Sequence, residues 1–153
     1  MENVLIRDAV LQDLPVLLDF EQNLIKAERP FDPTIADDPI SYYDIKEYIL
    51  DKDVKVVVAE VEGVVVSSGY ALKKMARHYL DHQYYGYLGF MYTKSEYRGK
   101  GINKMIVDFL VDWCKTSGLN EVRLTVYEDN LPAVKAYEKA GFKKHLCEMR
   151  IRN

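Results

Sequence analysis

The feature of the sequence that most constrains its fold is a pair of adjoining runs rich in β-branched residues. The runs Val54 to Val61 and Val64 to Met75 predict two strands. The Glu62-Gly63 pair between them is typical of a tight hairpin turn. The chain is therefore expected to contain an antiparallel sheet that the remaining elements cover.

Strand-like and helix-like patterns alternate in the rest of the chain, around a proline-broken loop at 28–41. The order strand, helix, helix, three strands, helix, strand, helix, strand predicts a mixed α/β or α+β fold with helices covering a central sheet. The further strands are expected at 4–6, 84–93, 122–126 and 145–151, and the helices at 11–27, 42–51, 101–117 and 130–140.

Length and composition indicate one domain spanning residues 1–153, without repeats or a flexible linker. Apolar residues make up 48% and charged residues 29%, which excludes a wholly disordered chain. No apolar run approaches the roughly 20 residues of a membrane span, and the first residues do not resemble a secretory signal. Cys114 and Cys147 are too few for a disulfide framework, so we expect a cytoplasmic protein.

Charge is distributed unevenly along the chain. Residues 1–53 carry 13 acidic and 5 basic side chains, a net charge of −8, whereas residues 54–153 carry 11 and 16, a net charge of +5. An anionic ligand suits the second part and a cationic ligand the first. Chance scatter of surface charge is the alternative. The mildly acidic net charge of the whole chain disfavours a nucleic-acid partner.

Residues 97–103, YRGKGIN, follow a predicted strand and open an amphipathic helix. Glycines let the backbone approach a ligand closely, and the first N–H groups of a helix, with its dipole, favour an anion. With Arg98, Lys100 and Lys104 nearby, the segment suits a phosphate or pyrophosphate. It is neither a Walker loop nor a dinucleotide fingerprint. A tight turn with solvated cations is the alternative.

Residues 130–142, NLPAVKAYEKAGF, predict a capped helix. Asn130 is a favourable N-cap, Pro132 suits the first turn, and Gly141 ends the helix. Phe142 then packs on the core. These capping and packing roles account for the four residues without any catalytic or binding function.

Together, the two segments resemble the GCN5-related N-acetyltransferase (GNAT) superfamily. The first is similar to its acyl-CoA motif, [QR]-x-x-G-x-[GA], and the second to N-x-x-A-x-x-x-Y-x-x-x-G-F. The resemblance implies an α/β (α+β) GNAT fold, with a mixed, mostly antiparallel sheet of six to seven strands flanked by about four helices. The matching positions are Arg98, Gly101 and Asn103 in the first motif, and Asn130, Ala133, Tyr137, Gly141 and Phe142 in the second.

The resemblance also implies that acetyl-CoA binds as the acyl donor. Its pyrophosphate is expected on the backbone N–H groups of 99–104, and its pantetheine arm beside the end of the strand at 90–92. Asn103 departs from the usual Gly or Ala, but we expect binding to survive because the backbone donors remain. The implied cofactor-binding residues are Phe90, Met91, Tyr92, Arg98, Gly99, Lys100, Gly101, Ile102, Asn103, Lys104, Asn130 and Tyr137.

The mechanism implied by the family is direct attack of an amine on the thioester in a ternary complex. Tyr137 matches the tyrosine that acts as general acid toward the departing thiolate, although simple packing also accounts for a tyrosine there. The general base is not fixed by any motif. Glu21 and Glu28, in or just after the first helix, are candidates, Glu96 beside the loop is another, and a water chain is an alternative.

The acceptor is expected to be a primary amine, either a small cationic amine or a peptide amine. This expectation rests on the acidic character of the proline-broken loop, which contains Glu28, Asp32, Asp37 and Asp38. An acyl-CoA-binding module of the same fold without catalysis is the main alternative. A second alternative is an enzyme of this fold with an unusual acceptor or a longer acyl donor.

Other partners are less strongly indicated. A homodimer formed through the strand at 145–151 is compatible with the family, and no membrane partner is expected. His78 and His82 are four residues apart, but their segment is predicted to be a loop, so no metal site is expected.

Overall fold

A computed structural model describes residues 3–153. Its strands form one five-stranded sheet in the order β1-β2-β3-β4-β5. The first three pairings are antiparallel, and β4 and β5 are parallel. No helix within 3–153 is long and apolar enough to cross a membrane. The strands are β1 (Val4–Asp8), β2 (Val54–Val61), β3 (Val64–Met75), β4 (Tyr84–Thr93) and β5 (Val122–Arg123), and the helices are α1 (Leu14–Glu28), α2 (Ile45–Leu50), α3 (Ile102–Thr116) and α4 (Leu131–Lys139).

The hairpin predicted from the two β-branched runs is confirmed at both strand boundaries. Val61 and Val64 are register partners, so Glu62 and Gly63 alone form the connection. Their φ angles are 51° and 78°. Two successive positive φ angles give the turn the twist that suits a two-residue hairpin.

The sheet has a hydrophobic core on each face because the side chains of each strand alternate between faces. Val57 and Val66 pack with Ile106 and Leu110 of α3 on one face. The opposite face packs on α1 and α2 and contains the cluster Leu17, Phe20, Ile45, Val56, Val58 and Phe90.

The prediction of six to seven strands is wrong: the described chain forms five. The segment predicted as a strand at 122–126 is shortened to Val122–Arg123, and the one at 145–151 belongs to no strand. Since β5 has only two residues, it presents almost no edge on which a following strand can pair. The three apolar side chains behind the second prediction are instead 85–88% exposed: Leu146, Met149 and Ile151.

A β-bulge interrupts the pairing of β3 with β4. Ser68 is opposite Tyr92 and Tyr70 is opposite Gly89, so β4 has one residue more than β3 in this interval. Phe90 has a φ of 58°, the left-handed region that non-glycine residues rarely adopt. The buried hydroxyl of Ser68 donates to the Phe90 carbonyl at 3.0 Å. The bulge therefore redirects β4 at the positions where the acyl arm is expected.

Candidate active site

The segment at 97–103 forms a glycine turn that leads directly into α3. Gly99 and Gly101 have φ angles of 76° and 80°, and Gly101 is the residue that precedes the helix. A Cβ atom built on either glycine meets no heavy atom within 4 Å. The turn therefore needs glycine for its backbone conformation rather than for lack of room, and it leads into the first helical N–H groups, which favour an anion.

Cationic side chains surround this turn. The Arg98 Nε donates to the Thr93 carbonyl at 2.9 Å, which fixes the base of the guanidinium next to the end of β4. The Lys100 ammonium lies 5.3 Å from the centre of the Tyr97 ring. The exposed Lys104 forms an ion pair with Asp108, one turn later, at 2.7 Å. This concentration of positive charge fits the phosphates of acetyl-CoA.

Asn103 is the second residue of α3 and is half-buried. A side chain at this position lies beside the first turn of the helix, where the N–H groups of Ile102 to Lys104 have no carbonyl four residues earlier within the helix. Those N–H groups belong to the backbone, so the departure from Gly or Ala leaves them in place.

The edge of β4 is uncovered beyond its first residues. β5 pairs with it only at Gly86 and Tyr87 in the described chain. The side chains of Tyr87 and Thr125 still meet through their hydroxyls at 2.6 Å, but the residues at 90–92 have β3 as their sheet neighbour on one side only. An extended ligand can pair with such an edge as an added strand.

The helix of the second motif places Tyr137 against the core. Asn130 caps α4, and its side-chain oxygen accepts the Ala133 N–H at 3.4 Å. Tyr137 is half-buried, and its ring centre is 6.0 Å from that of Phe142. Burial, and then the nearby Glu28 carboxylate, raise the pKa of Tyr137 to about 12. The phenol therefore keeps its proton at neutral pH.

Glu28 ends α1 within a group of tyrosines that we call the phenol cluster, defined as Tyr42, Tyr43, Tyr127 and Tyr137. Burial raises the pKa of the half-buried Glu28 carboxyl, and a hydrogen bond with Tyr42 opposes that shift. The negative charge of Glu28 in turn contributes to the raised pKa of all four phenols. Of the two predicted base candidates, Glu28 is thus the one whose charge acts on the predicted acid, Tyr137.

The other candidate, Glu21, holds the backbone of the loop that carries two members of the phenol cluster. It is 1% exposed, and its Oε2 accepts the backbone N–H groups of Tyr42 and Tyr43 at 2.9 and 2.8 Å. Glu96 is exposed in the 3-10 turn Ser95–Tyr97. Of the three carboxylates, Glu28 is the one whose charge contributes to the raised pKa of all four phenols.

Two of the acidic residues expected to attract a cation are already paired. Asp32 binds Arg150 at 2.9 Å and receives a hydrogen bond from the Tyr127 hydroxyl at 3.3 Å. Asp38 binds Arg29 at 2.9 Å. Ion pairing therefore reduces the negative charge that Asp32 and Asp38 can offer to a cation.

The two histidines considered for a metal lie away from both motifs. His82 contacts Asp81 through Nδ1 at 2.8 Å and Arg123 through Nε2 at 2.9 Å. No group of three or more potential metal ligands is found in residues 3–153.

Sequence reasoning missed three members of the phenol cluster: Tyr42, Tyr43 and Tyr127. Their only sequence signal was the abundance of tyrosine, 12 residues in all, which does not say which rings converge. Tyr127 stacks on Phe31, 96 positions earlier in the chain, with ring centres 5.9 Å apart. Contacts of such separation depend on the assembled fold.

Comparison with known proteins decides the family. The acetyltransferase (GNAT) family model matches residues 21–142, which is most of the chain. The chain belongs to the GNAT acetyltransferase family. GNAT acetyltransferases use acetyl-CoA as the acyl donor, and this confirms the cofactor predicted from the two motifs.

Individual GNAT relatives match over different lengths. The chain is 38% identical over 58 residues to an uncharacterized N-acetyltransferase, YobR, of Bacillus subtilis (strain 168), covering 38% of the chain and 24% of the relative. The chain thus spans about a quarter of that protein. It is 28% identical over 110 residues to glucosamine 6-phosphate N-acetyltransferase of Arabidopsis thaliana, covering 71% and 70% of the two proteins.

The GNAT fold is also evident from solved structures. A predicted acetyltransferase from Clostridium acetobutylicum, crystallised with acetyl-CoA, superposes with a TM-score of 0.72 at 18% identity, over 98% of this chain and 96% of that one. The likeness at this level of identity concerns the fold.

Proposed function

We propose that the protein is an acetyl-CoA-dependent N-acetyltransferase that acts on a primary amine by direct attack in a ternary complex. One observation carries the proposal: the glycine turn that opens α3 is bonded through Arg98 to the end of β4, whose edge at 90–92 has a sheet neighbour on one side only. Glu28 and Tyr137 complete the proposal as its acid–base pair, because the Glu28 charge contributes to the raised pKa of Tyr137. A cofactor loop, an acyl path and an acid–base pair are the parts that such a transfer needs.

The cofactor part of the proposal assigns three groups of residues. Backbone N–H groups of 99–104 hold the phosphates, with Arg98 at the start of the turn. The edge of β4 at 90–92 pairs with the extended arm, and Asn130 borders it. Acetyl-CoA supplies an activated thioester at the end of that arm.

The chemical roles follow from the protonation states. Glu28, as carboxylate, takes a proton from the amine, because an ammonium has no lone pair with which to attack. The new C–N bond forms as the C–S bond breaks, and Tyr137 gives its proton to the departing sulfur. The nitrogen then gives up its excess proton to the Tyr137 phenolate, so that the products are the amide, the free thiol and the proton held by Glu28. A cysteine-bound acyl group is not required. Burial raises the pKa of Cys114 to about 11, which makes it a poor nucleophile.

The acceptor in this proposal is cationic, as a small amine or a peptide amine. Its positive charge is attracted by Glu28, and the faces of the surrounding phenols provide further favourable contacts for a cation. The glucosamine 6-phosphate enzyme among the relatives acts on an amino sugar, so an amine on a polar scaffold is compatible with the family.

An amine panel tests the proposal. Thiol release from acetyl-CoA is measured with polyamines, basic peptides, amino sugars, and neutral and acidic amines at matched concentrations, and acetylated products are identified by mass spectrometry. We expect turnover that is fastest with the cationic acceptors. Faster turnover with neutral or acidic amines would remove the cationic specificity, and acetyl-CoA binding without turnover on any amine would favour an acyl-CoA-binding module.

A further inference from the structure

Glu21 is a carboxylate in an apolar interior. It lies on the face of α1 that packs on the sheet, between Leu17 and Ile25, and is 1% exposed. Burying a charge is costly unless hydrogen bonds compensate it. Here a single oxygen, Oε2, accepts the backbone N–H groups of both Tyr42 and Tyr43 at 2.9 and 2.8 Å. The Glu21 carboxylate therefore fixes the backbone of the loop at 42–43.

The neighbouring residue of α1 holds the same loop. Gln22 Nε2 donates to the Ile40 carbonyl at 2.9 Å. Residues 40–43 belong to no helix or strand, so these side-chain bonds from α1 replace the backbone ladder that would otherwise fix the segment. We call the contacts of Glu21 and Gln22 with 40–43 the loop clamp.

The loop clamp determines where two phenols point. The Tyr42 phenol interacts with the Glu28 carboxylate and lowers its pKa, and the Tyr43 ring centre lies 5.5 Å from that of Phe90, the residue of the β4 bulge. Glu21 and Glu28 are seven residues apart on the same face of α1, about 10 Å along the helix axis. The carboxylate that fixes the loop is thus two turns from the carboxylate proposed as base.

We propose that Glu21 is a positioning residue for the acceptor amine, because it holds Tyr42 and Tyr43 as one wall of the acceptor site around Glu28. This inference rests on the proposed acetyl transfer and makes the two phenols determinants of acceptor specificity. Because both N–H groups meet one oxygen, the role needs a hydrogen-bond acceptor at this point rather than a negative charge.

Two substitutions at the same position separate these properties. Glu21→Met keeps the volume and removes the acceptor, whereas Glu21→Gln keeps one carbonyl oxygen and removes the charge. We expect Glu21→Met to raise the KM for a polyamine about tenfold, the order expected when the two hydrogen bonds by which a buried side chain fixes a binding wall are lost. The acetyl-CoA dissociation constant should stay within about twofold, and Glu21→Gln should restore most of the amine KM.

Two further variants serve as a control for specificity and as a safeguard in case Glu21→Met does not fold. Asp19→Asn removes an exposed carboxylate from the same helix and should change neither constant. Gln22→Ala loosens the loop clamp from an exposed position, so it should raise the amine KM in the same direction even if Glu21→Met does not fold. An unchanged amine KM in folded Glu21→Met, or in Gln22→Ala where Glu21→Met does not fold, would overturn the positioning role. A failure of Glu21→Gln to restore the amine KM would also overturn the positioning role.

Hydrogen exchange separates this inference from the proposed function. The amides of Tyr42 and Tyr43 should exchange faster in Glu21→Met than in the wild type, whether or not an acceptor is known. Faster exchange with an unchanged amine KM would refute the positioning role and leave acetyl transfer intact. Faster exchange in a protein whose wild type acetylates no amine would refute acetyl transfer, and the positioning role with it, while leaving the clamp as a structural device.

Discussion

At the scale of single residues, the proposed chemistry depends on two side chains with opposite protonation states. Burial raises the pKa of both Glu28 and Tyr137, and the Glu28 charge further disfavours ionisation of the Tyr137 phenol. In the proposed mechanism Glu28 acts as the unprotonated base and Tyr137 as the protonated acid, which is the combination that amine acylation needs.

Tyr137→Phe tests the acid. Removing the hydroxyl leaves the ring in the core, so we expect acetyl-CoA to bind normally while kcat falls about a hundredfold, the range of a lost general acid. Steady-state kinetics at saturating substrates provide the measurement. An unaltered kcat would show that the tyrosine only packs there.

Glu28→Gln tests the base through its pH dependence. A base must be deprotonated, so the wild-type kcat/KM should increase as pH rises through the raised pKa of Glu28. In Glu28→Gln this acidic limb should disappear and kcat/KM should fall at least about a hundredfold near neutrality. A variant that keeps both the limb and the rate would exclude Glu28 as the base.

At the scale of elements, the two glycines before α3 can be compared with a glycine of the same conformation elsewhere. Gly101 and Gly63 have φ angles of 80° and 78°, and neither has a heavy atom within 4 Å of a built Cβ. Alanine at either position therefore costs backbone strain of about 1–2 kcal/mol rather than a steric clash.

Alanine substitutions at these two glycines can therefore be compared directly. Gly101→Ala and Gly63→Ala should lower the free energy of unfolding by similar amounts in urea denaturation. Only Gly101→Ala should also weaken acetyl-CoA binding in calorimetry, because its strain is relieved by moving the N–H groups that hold the phosphates. Equal acetyl-CoA affinities in the two variants would contradict the assignment of the turn.

A second element-scale prediction concerns the junction of β1 with α1. Asp13, which is buried, accepts hydrogen bonds from Arg7 at 2.8 and 2.9 Å and from the Val10 N–H at 2.8 Å. The bond with Arg7, more than any other contact, lowers the pKa of Asp13. Asp13→Asn should therefore reduce the free energy of unfolding by about 2 kcal/mol at pH 7.

The sign of the pH dependence follows from the lowered pKa. The stabilisation is complete above the unfolded value of about 3.9 and is lost as pH falls through the folded pKa, so the difference between wild type and variant should shrink in acid. Asp8→Asn, which removes an exposed ion pair with Lys55, should cost much less. A pH-independent difference would contradict this account.

At the scale of the whole molecule, local signals predicted the elements, and tertiary contacts decided the rest. The strands at 54–61, 64–75 and 84–93 were predictable because β-branched and aromatic runs end at clear turns. The glycine turn was predictable for the same local reason. The predicted C-terminal strand failed because pairing needs a distant neighbour, and β5 is too short to be one.

In the candidate site, too, residues with local sequence signals were predictable and those defined by tertiary contacts were not. The motif positions from Arg98 to Asn103 are contiguous and could be read directly, whereas the bulge at Phe90 uses a non-glycine residue with a positive φ, which no sequence pattern indicates. The role of Glu21 was also hidden. Its partners lie 21 and 22 positions further along the chain, in a loop without regular structure.

The measurement that tests the central claim most directly is a thermal-shift comparison of acetyl-CoA, CoA, ATP and NAD at matched concentrations. A ligand that binds only the folded state stabilises it by about 2.7 kcal/mol at a hundredfold excess over its dissociation constant. We expect a rise in Tm with acetyl-CoA and CoA that clearly exceeds any rise with ATP or NAD. No rise with the CoA compounds in well-folded protein, or an equal rise with all four ligands, would contradict an acyl-CoA site at the start of α3.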